Sequence, residues 1–469
     1  MARVGGRTRG PALFPARDRA VIYAAAISML LVQMDWFALN LMLPVIARDF
    51  GTPSTDLQWL VSGYMLSLGA LMITGGRLAD VHGRRRILVV GLSGFAVVSV
   101  LCAAAQSVAW LVAGRLVQGA SAALIFPVAV AVVTAYFRDE RQGRAVATVL
   151  AFSAVGTALG PFVGGAFAEH VSWRAVFLLN VPFCVAAAVL LLRFVPESRD
   201  EQAGRHFDVA GVCTIGAGLT GIMLGVDQGA RWGWTSPATL VCLVGGCALL
   251  ALFVRLERRT PEPLLDLALL RNGPFVTVTA AGSVSNVVYC LVAVLSALYL
   301  QQARGLSPLA SGVVFLSLSV GASTASYWSG RLAQHWRPES LMAGGMLLSG
   351  LSLYALTWAT PLALYTAIFA VVGVGLGLGW ALTNVATQSY VPASRLAAAS
   401  GLVLTSLVLL GAVAVAVAAT VLEAVSGSPA QAASDGPAIE AVLRCAAVLA
   451  LIGSAALAVL HRRRPSPHP

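Results

Sequence analysis

Long apolar stretches alternate with short polar breaks along the whole chain, and most of the breaks carry arginine. Between Ala109 and Phe137 the single charged residue is Arg115. A helix needs roughly 20 apolar residues to cross a hydrocarbon core about 30 Å thick, and runs of this purity meet that length. The pattern predicts helices near 21–47, 57–77, 87–106, 109–136, 142–168, 173–195, 208–227, 237–256, 274–301, 307–331, 340–358, 361–390, 397–424 and 439–460. Short connections make neighbours antiparallel. Fourteen is an even number, so both termini fall on one side.

Composition narrows the class. Charged residues make up 11% of the 469, against about 25% in soluble domains. The hydrophobic share is 58% before 46 glycines are counted, which leaves too little polar material to cover a soluble particle. There is no lysine, so all the positive charge is arginine. A net charge of +11 raises the question of nucleic acid, but its distribution answers it. Alternate loops hold Arg84 to Arg86, then Arg138, Arg141 and Arg144, then Arg193, Arg199 and Arg205. The same side continues with Arg255, Arg258, Arg259, Arg271, Arg331, Arg337 and Arg395, and with arginines in both tails. The opposite loops hold Arg48, Arg174, Arg231 and Arg304. This is the positive-inside pattern: it predicts a multi-pass cell-membrane protein with cytoplasmic termini, and charge spread along a membrane face rather than a nucleic-acid patch. Residues 1–20 read as a cytoplasmic tail, being arginine-rich and lacking a cleavage site after the first apolar run. Seven cysteines all lie inside apolar spans and read as packing residues, not as a disulfide or metal framework.

An internal echo organises the spans. Gly76-Arg77-Leu78-Ala79-Asp80 closes helix 2, and Gly330-Arg331-Leu332-Ala333-Gln334 closes helix 10, with Gly91 and Gly345 following at equal distances. The fold class expected is therefore an all-α membrane protein. Residues 21–200 and 273–460 form two six-helix halves, 201–272 hold two inserted helices, and 461–469 form a second cytoplasmic tail. Paired halves around a midplane site are a common construction of secondary transporters.

Several motifs then carry a specific resemblance. The stretch from Gly76 through Asp80 and Gly83 to Arg84, Arg85 and Arg86 resembles the loop between helices 2 and 3 of the major facilitator superfamily. Leu111, Arg115, Gln118 and Gly119 are similar to its helix 4 motif, and Gly156, Gly160, Pro161, Gly164 and Gly165 to the helix 5 motif found chiefly in its antiporters. Asp35 with Asn40 and Pro44, Trp173-Arg174 with Phe177 and Asn180-Val181-Pro182, and Gly233-Trp234-Thr235-Ser236-Pro237 resemble the fourteen-helix drug/proton antiporter branch. Phe37 and Val81 depart from the usual residues, and helix 13 lacks the polar signature often found there.

The chemistry follows from depth. A carboxylate at Asp35, near mid-membrane, costs on the order of 2.5–3.5 kcal/mol on insertion scales, so it needs a cavity or a partner. It is the candidate proton carrier, with a plain structural hydrogen bond as the alternative. Arg115 stays protonated and is the candidate coupling partner, the alternative being a backbone anchor. The resemblance implies that the helix 5 glycines pack tightly against a helix of the other half and gate the path. It also implies that Gly76, Asp80, Gly83, Arg84 and Arg85 form a latch favouring the outward-open state. Trp36, Asn40, Tyr64, Gln118, Asn286, Tyr289, Trp380 and Asn384 are candidate cavity residues. Arg444 is expected to pair with Glu440 four residues earlier, and Glu169 and Glu423 to be solvated. The sequence contains no P-loop, metal-ligand cluster or hydrolase motif, so enzyme activity, a metal and a cofactor are not expected. The reading is a monomeric, proton-coupled antiporter that exports small amphipathic compounds, with protons and lipid as its other partners. The alternative is proton-coupled movement of a specific metabolite or siderophore.

Overall fold

The computed structural model describes residues 15–53, 57–137, 139–199, 208–260, 267–333, 335–391, 396–426 and 434–462. Arg138, Arg205, Gln334, Arg395 and the tail arginines before residue 15 and after 462 lie outside them. Fourteen helices among the described residues are long and apolar enough to cross a membrane. They are α1 (Ala16–Phe50), α2 (Trp59–His82), α3 (Arg84–Ala103), α4 (Val108–Tyr136), α5 (Asp139–His170), α6 (Trp173–Phe194) and α7 (Val209–Trp232). The series continues with α8 (Pro237–Glu257), α9 (Gly273–Leu298, prolonged by a π-helical turn Tyr299–Ala303), α10 (Pro308–Leu332), α11 (Pro338–Leu356), α12 (Leu362–Tyr390), α13 (Leu396–Ser426) and α14 (Gly436–Arg462). Every predicted span is present, and the differences are at the ends. α2, for example, runs on through Arg77 and Asp80 to His82, so its motif is the last turns of a helix.

With an even number of crossings, both described ends lie on one face, here named the terminal face; the other is the distal face. Four of the helices that start on the distal face begin with a serine cap. Ser107, Ser172, Ser236 and Ser307 accept from the amides of Trp110, Arg174, Thr239 and Ala310. First-turn amides lack intrahelical partners, and a serine supplies one where the chain enters apolar surroundings. Gly83 makes the turn between α2 and α3 at φ 106°, a conformation that side-chain-bearing residues rarely adopt.

Packing divides the helices. α1 to α6 pack among themselves, as do α9 to α14. The two groups meet chiefly where α5 packs on α10 and α2 on α13. α7 and α8 form a hairpin whose α7 arm lies against both α2 and α13. Burial follows this plan: the apolar window of α1 is 89% buried, that of α8 only 17%. α1 is thus the internal helix of its group, while α8 turns most of its apolar surface outward, as a lipid-facing helix must.

Candidate functional site

Asp35 sits midway along α1, the most enclosed helix, and is 2% exposed. Its Oδ2 receives Arg115 Nη1 of α4 at 2.6 Å. Asn180 Nδ2 of α6 donates to Oδ1 at 2.7 Å, and Gln118 Nε2 lies 3.4 Å from the same oxygen. Ser99 of α3 completes the cage by accepting from Gln118 at 2.9 Å and Asn180 at 3.3 Å. Four helices therefore converge on one carboxylate. Arg115 is fully buried: its Nε donates to the Leu60 carbonyl of α2 at 3.1 Å and its Nη1 to Gln118 Oε1 at 2.7 Å, while its Nη2 makes no hydrogen bond. Its guanidinium also lies 4.1 Å from the centre of the Tyr64 ring, within cation–π range. Removing one member of such a buried pair typically costs about 3–5 kcal/mol, because the other charge is left uncompensated.

Aromatic rings continue from this cage toward the second helix group. Trp36 lies 6.4 Å from Tyr64 and stacks on Phe37 at 5.4 Å, and Phe37 meets Tyr289 of α9 edge-on at 5.5 Å. Asn40, one turn beyond Trp36, is buried with its Oδ1 unpaired. The other cavity candidates lie apart from the cage. Asn286 donates to the Leu407 carbonyl of α13 at 2.8 Å, Asn384 bonds the carbonyl of Trp380 in its own helix, and Trp380 packs near Phe275 and Leu402.

The helix 5 glycines serve two neighbours. A Cβ on Gly156, Gly160 or Gly164 would lie 2.4, 2.8 or 2.3 Å from Leu30, Phe37 or Ala38 of α1, within the same group. Only Gly165 and Pro161 face α10. A Cβ on Gly165 would stand 2.2 Å from the Pro308 carbonyl oxygen, and one on Gly312 would stand 2.9 Å from that of Pro161. Contact with the other group is thus narrower than the motif implies, and most of the glycine stripe seats α1. The distal half between the groups is closed. Gln301 Nε2 donates to the Leu41 carbonyl at 2.8 Å. A cavity of about 20 Å³ lined by Leu43, Val61, Leu295, Leu298, Val415 and Ala418, among others, remains there, room for about one water.

On the terminal face the loop residues pair within the first group. Arg84 bonds Asp80 through Nη2 at 2.7 Å, and Arg85 donates to the Val195 carbonyl at 3.1 Å with its Nε 3.6 Å from Glu197. These contacts tie the loop to the end of α6. Gly76 has open space around it, whereas a Cβ on its neighbour Gly75 would lie 2.3 Å from the Ala123 carbonyl oxygen. Arg444 bonds Glu440 as its spacing predicts, at 3.2 Å. Glu169, expected to be simply solvated, is exposed but accepts the Leu309 amide at 2.8 Å.

Ser99 and Glu197 escaped sequence reasoning, and Asn180 was read only as part of a motif. One signal was available for Asn180, an amide well inside an apolar run; Ser99 had none, since serines are common in these helices. No group of three or more His, Cys, Asp or Glu placed to hold a metal occurs among the described residues.

Comparison with known proteins agrees with this architecture. The family model described as Major Facilitator Superfamily matches residues 25–416 and 275–469. The multidrug efflux pump LfrA of Mycolicibacterium smegmatis is 34% identical over 390 residues, covering 82% of this chain and 77% of that protein. The cephamycin export protein CmcT of Amycolatopsis lactamdurans is 34% identical, covering 86% and 85%. The tetracenomycin C resistance and export protein of Streptomyces glaucescens is 31% identical, covering 82% and 72%. Among solved structures, a bacterial homologue of the human lysosomal transporter Spinster superposes with a TM-score of 0.70 at 16% identity, covering 97% of this chain and all of that one. A peptide transporter, POT, gives 0.71 at 15% identity, covering 97% and 96%. A family model spanning most of the chain, relatives above 30% identity and a shared fold place this protein in the Major Facilitator Superfamily, a family of membrane transporters and not of enzymes.

Proposed function

We propose that this protein exports small amphipathic or aromatic compounds across the cell membrane in exchange for protons, by alternating access of residues 21–200 against 273–460. The termini are cytoplasmic, on the arginine-rich face, and the working unit is a monomer. The observation that carries the reading is the Asp35 carboxylate, held in a buried cage by Arg115 and Asn180. An ionisable residue inside the membrane is a functional site by default.

The cage has a property that suits coupling. When Asp35 is charged it binds α1 to α4 and α6. When a proton neutralises it, Arg115 keeps the Leu60 carbonyl, Gln118 and the Tyr64 ring as partners. The proton therefore releases α1 while neutral partners still hold the guanidinium in place, and the uncompensated arginine charge then favours a rearrangement of the cage. α1 also bears on α9 and α10 of the other group, so its release alters the contact across which the halves rock. The Trp36–Phe37–Tyr289 rings, next to the same aspartate, offer stacking surface to an aromatic compound. The named functions of the relatives, drug efflux and export of cephamycin and tetracenomycin C, support the direction and the substrate class.

The test is purified protein in proteoliposomes under an imposed pH gradient, offered fluorescent dyes and antibiotics. Substrate should move against the proton flow, and the movement should collapse when an uncoupler is added. Movement in the same direction as the protons would replace the export reading with uptake, and movement indifferent to the gradient would remove the coupling.

A further inference from the structure

α10 is missing one hydrogen-bond partner at its start, and the other helix group supplies it. Of the first-turn positions, Pro308 has no N–H, and the amide of Ala310 is satisfied by the Ser307 hydroxyl at 3.2 Å. The amide of Ser311 reaches the Ser307 carbonyl at 2.9 Å. Leu309 is left, and its N–H donates to Glu169 Oε2 of α5 at 2.8 Å, with the Ser307 hydroxyl also bonding that carboxylate. An orphan amide of one group is thus capped by an acid of the other.

From this geometry we infer that Glu169 is a distal latch, a positioning residue that holds the distal side of the transporter shut. The inference rests on the alternating-access reading above. At the amino end of α10 the carboxylate meets the positive pole of a helix, where an anion is stabilised. It is itself the penultimate residue of α5, beside that helix's carbonyl end, where an anion is disfavoured. Separating the groups on the distal side strips away the favourable partner and leaves the unfavourable one. The bond therefore biases the equilibrium toward the state in which the distal side is closed. It also lies beside two close cross-group approaches, Gly165 to Pro308 and Pro161 to Gly312, and on the same side as the Gln301–Leu41 bond. The distal side cannot open without breaking it.

The experiment uses Ala418→Cys, at the small distal cavity, as a reporter in the full-length protein in intact cells. A membrane-impermeant maleimide is applied outside, and labelling at position 418 is read by mass spectrometry with the native cysteines left in place. Loss of a helix cap shifts a two-state equilibrium by about fivefold, so Glu169→Ala should raise the labelling rate by about that factor. Glu169→Gln keeps an acceptor oxygen but loses the charge, and should fall between wild type and Ala. Should the alanine variant fail to reach the membrane, the near-isosteric glutamine variant carries the test alone. A wild-type labelling rate in whichever variant is present in the membrane overturns the latch. The readout needs no substrate, so failure of the latch and failure of the export reading are separable: a wild type that moves no compound under a proton gradient sinks the latter only.

Discussion

At the scale of single residues, the protein places its costliest groups where each one answers another. Asp35 and Arg115 would each be costly alone in a membrane, yet together with Asn180, Gln118 and Ser99 they form one connected hydrogen-bonded set, in which only Arg115 Nη2 and Asn180 Oδ1 make no hydrogen bond. Asp35→Asn should leave the fold intact, because an amide oxygen can still accept from Arg115. Gradient-driven export should nevertheless vanish in proteoliposomes, since the amide takes up no proton. Hydrogen bonds to charged groups are worth about 1.5–3 kcal/mol, so Asn180→Ala should slow export by at least about tenfold at unchanged membrane expression. Arg115→Lys should also fail in the same assay. A lysine cannot reach the Leu60 carbonyl, Gln118 and Asp35 at once in a planar fork, nor lie flat on Tyr64.

Among helices, glycine decides which pairs approach closely, and position along the motif turns out to matter more than membership in it. Gly75 lies against the Ala123 carbonyl, while Gly76 next to it meets open space. Alanine at 76 should therefore transport at close to the wild-type rate, and alanine at 75 should lower both expression and transport. Similarly, Gly164→Leu drives a side chain into the backbone of α1 at Ala38, and uptake assays on everted vesicles should show transport lost. Normal activity in that variant would mean that α1 and α5 do not need this contact. The motif's spacing was legible in the sequence because three- and four-residue intervals mark one helix face. Which neighbour that face meets was not, because helix packing partners are set by long-range contacts that no local pattern encodes.

For the molecule as a whole, the question is how one side closes while the other opens. The distal side is closed by α5 against α10, by Gln301 on Leu41 and by an apolar cavity too small for a substrate. On the terminal face, Asp80, Arg84, Arg85 and Glu197 pair within the first group. These pairs are partly exposed, and such pairs contribute about 0–1 kcal/mol. Asp80→Ala should therefore change cysteine labelling of the terminal face by no more than about fivefold. A complete block of either conformation would show that the loop does more than bias them.

The order of residues by itself determined that this chain is a membrane protein of fourteen spans, and it marked Asp35 and Arg115 as the two deep charges. Those features are local: twenty residues of hydropathy define a crossing, and one charge in an apolar run stands out against its own neighbours. The tertiary structure alone decided that those charges meet, although they lie 80 positions apart in the chain. It alone recruited Ser99 and Asn180 to them, turned three of the helix 5 glycines toward α1 rather than α10, and set Glu169 on the open end of a helix from the other group. The reason is geometric. A hydrogen bond is made or missed within a few tenths of an ångström, and only the packed arrangement of helices determines distances of that size.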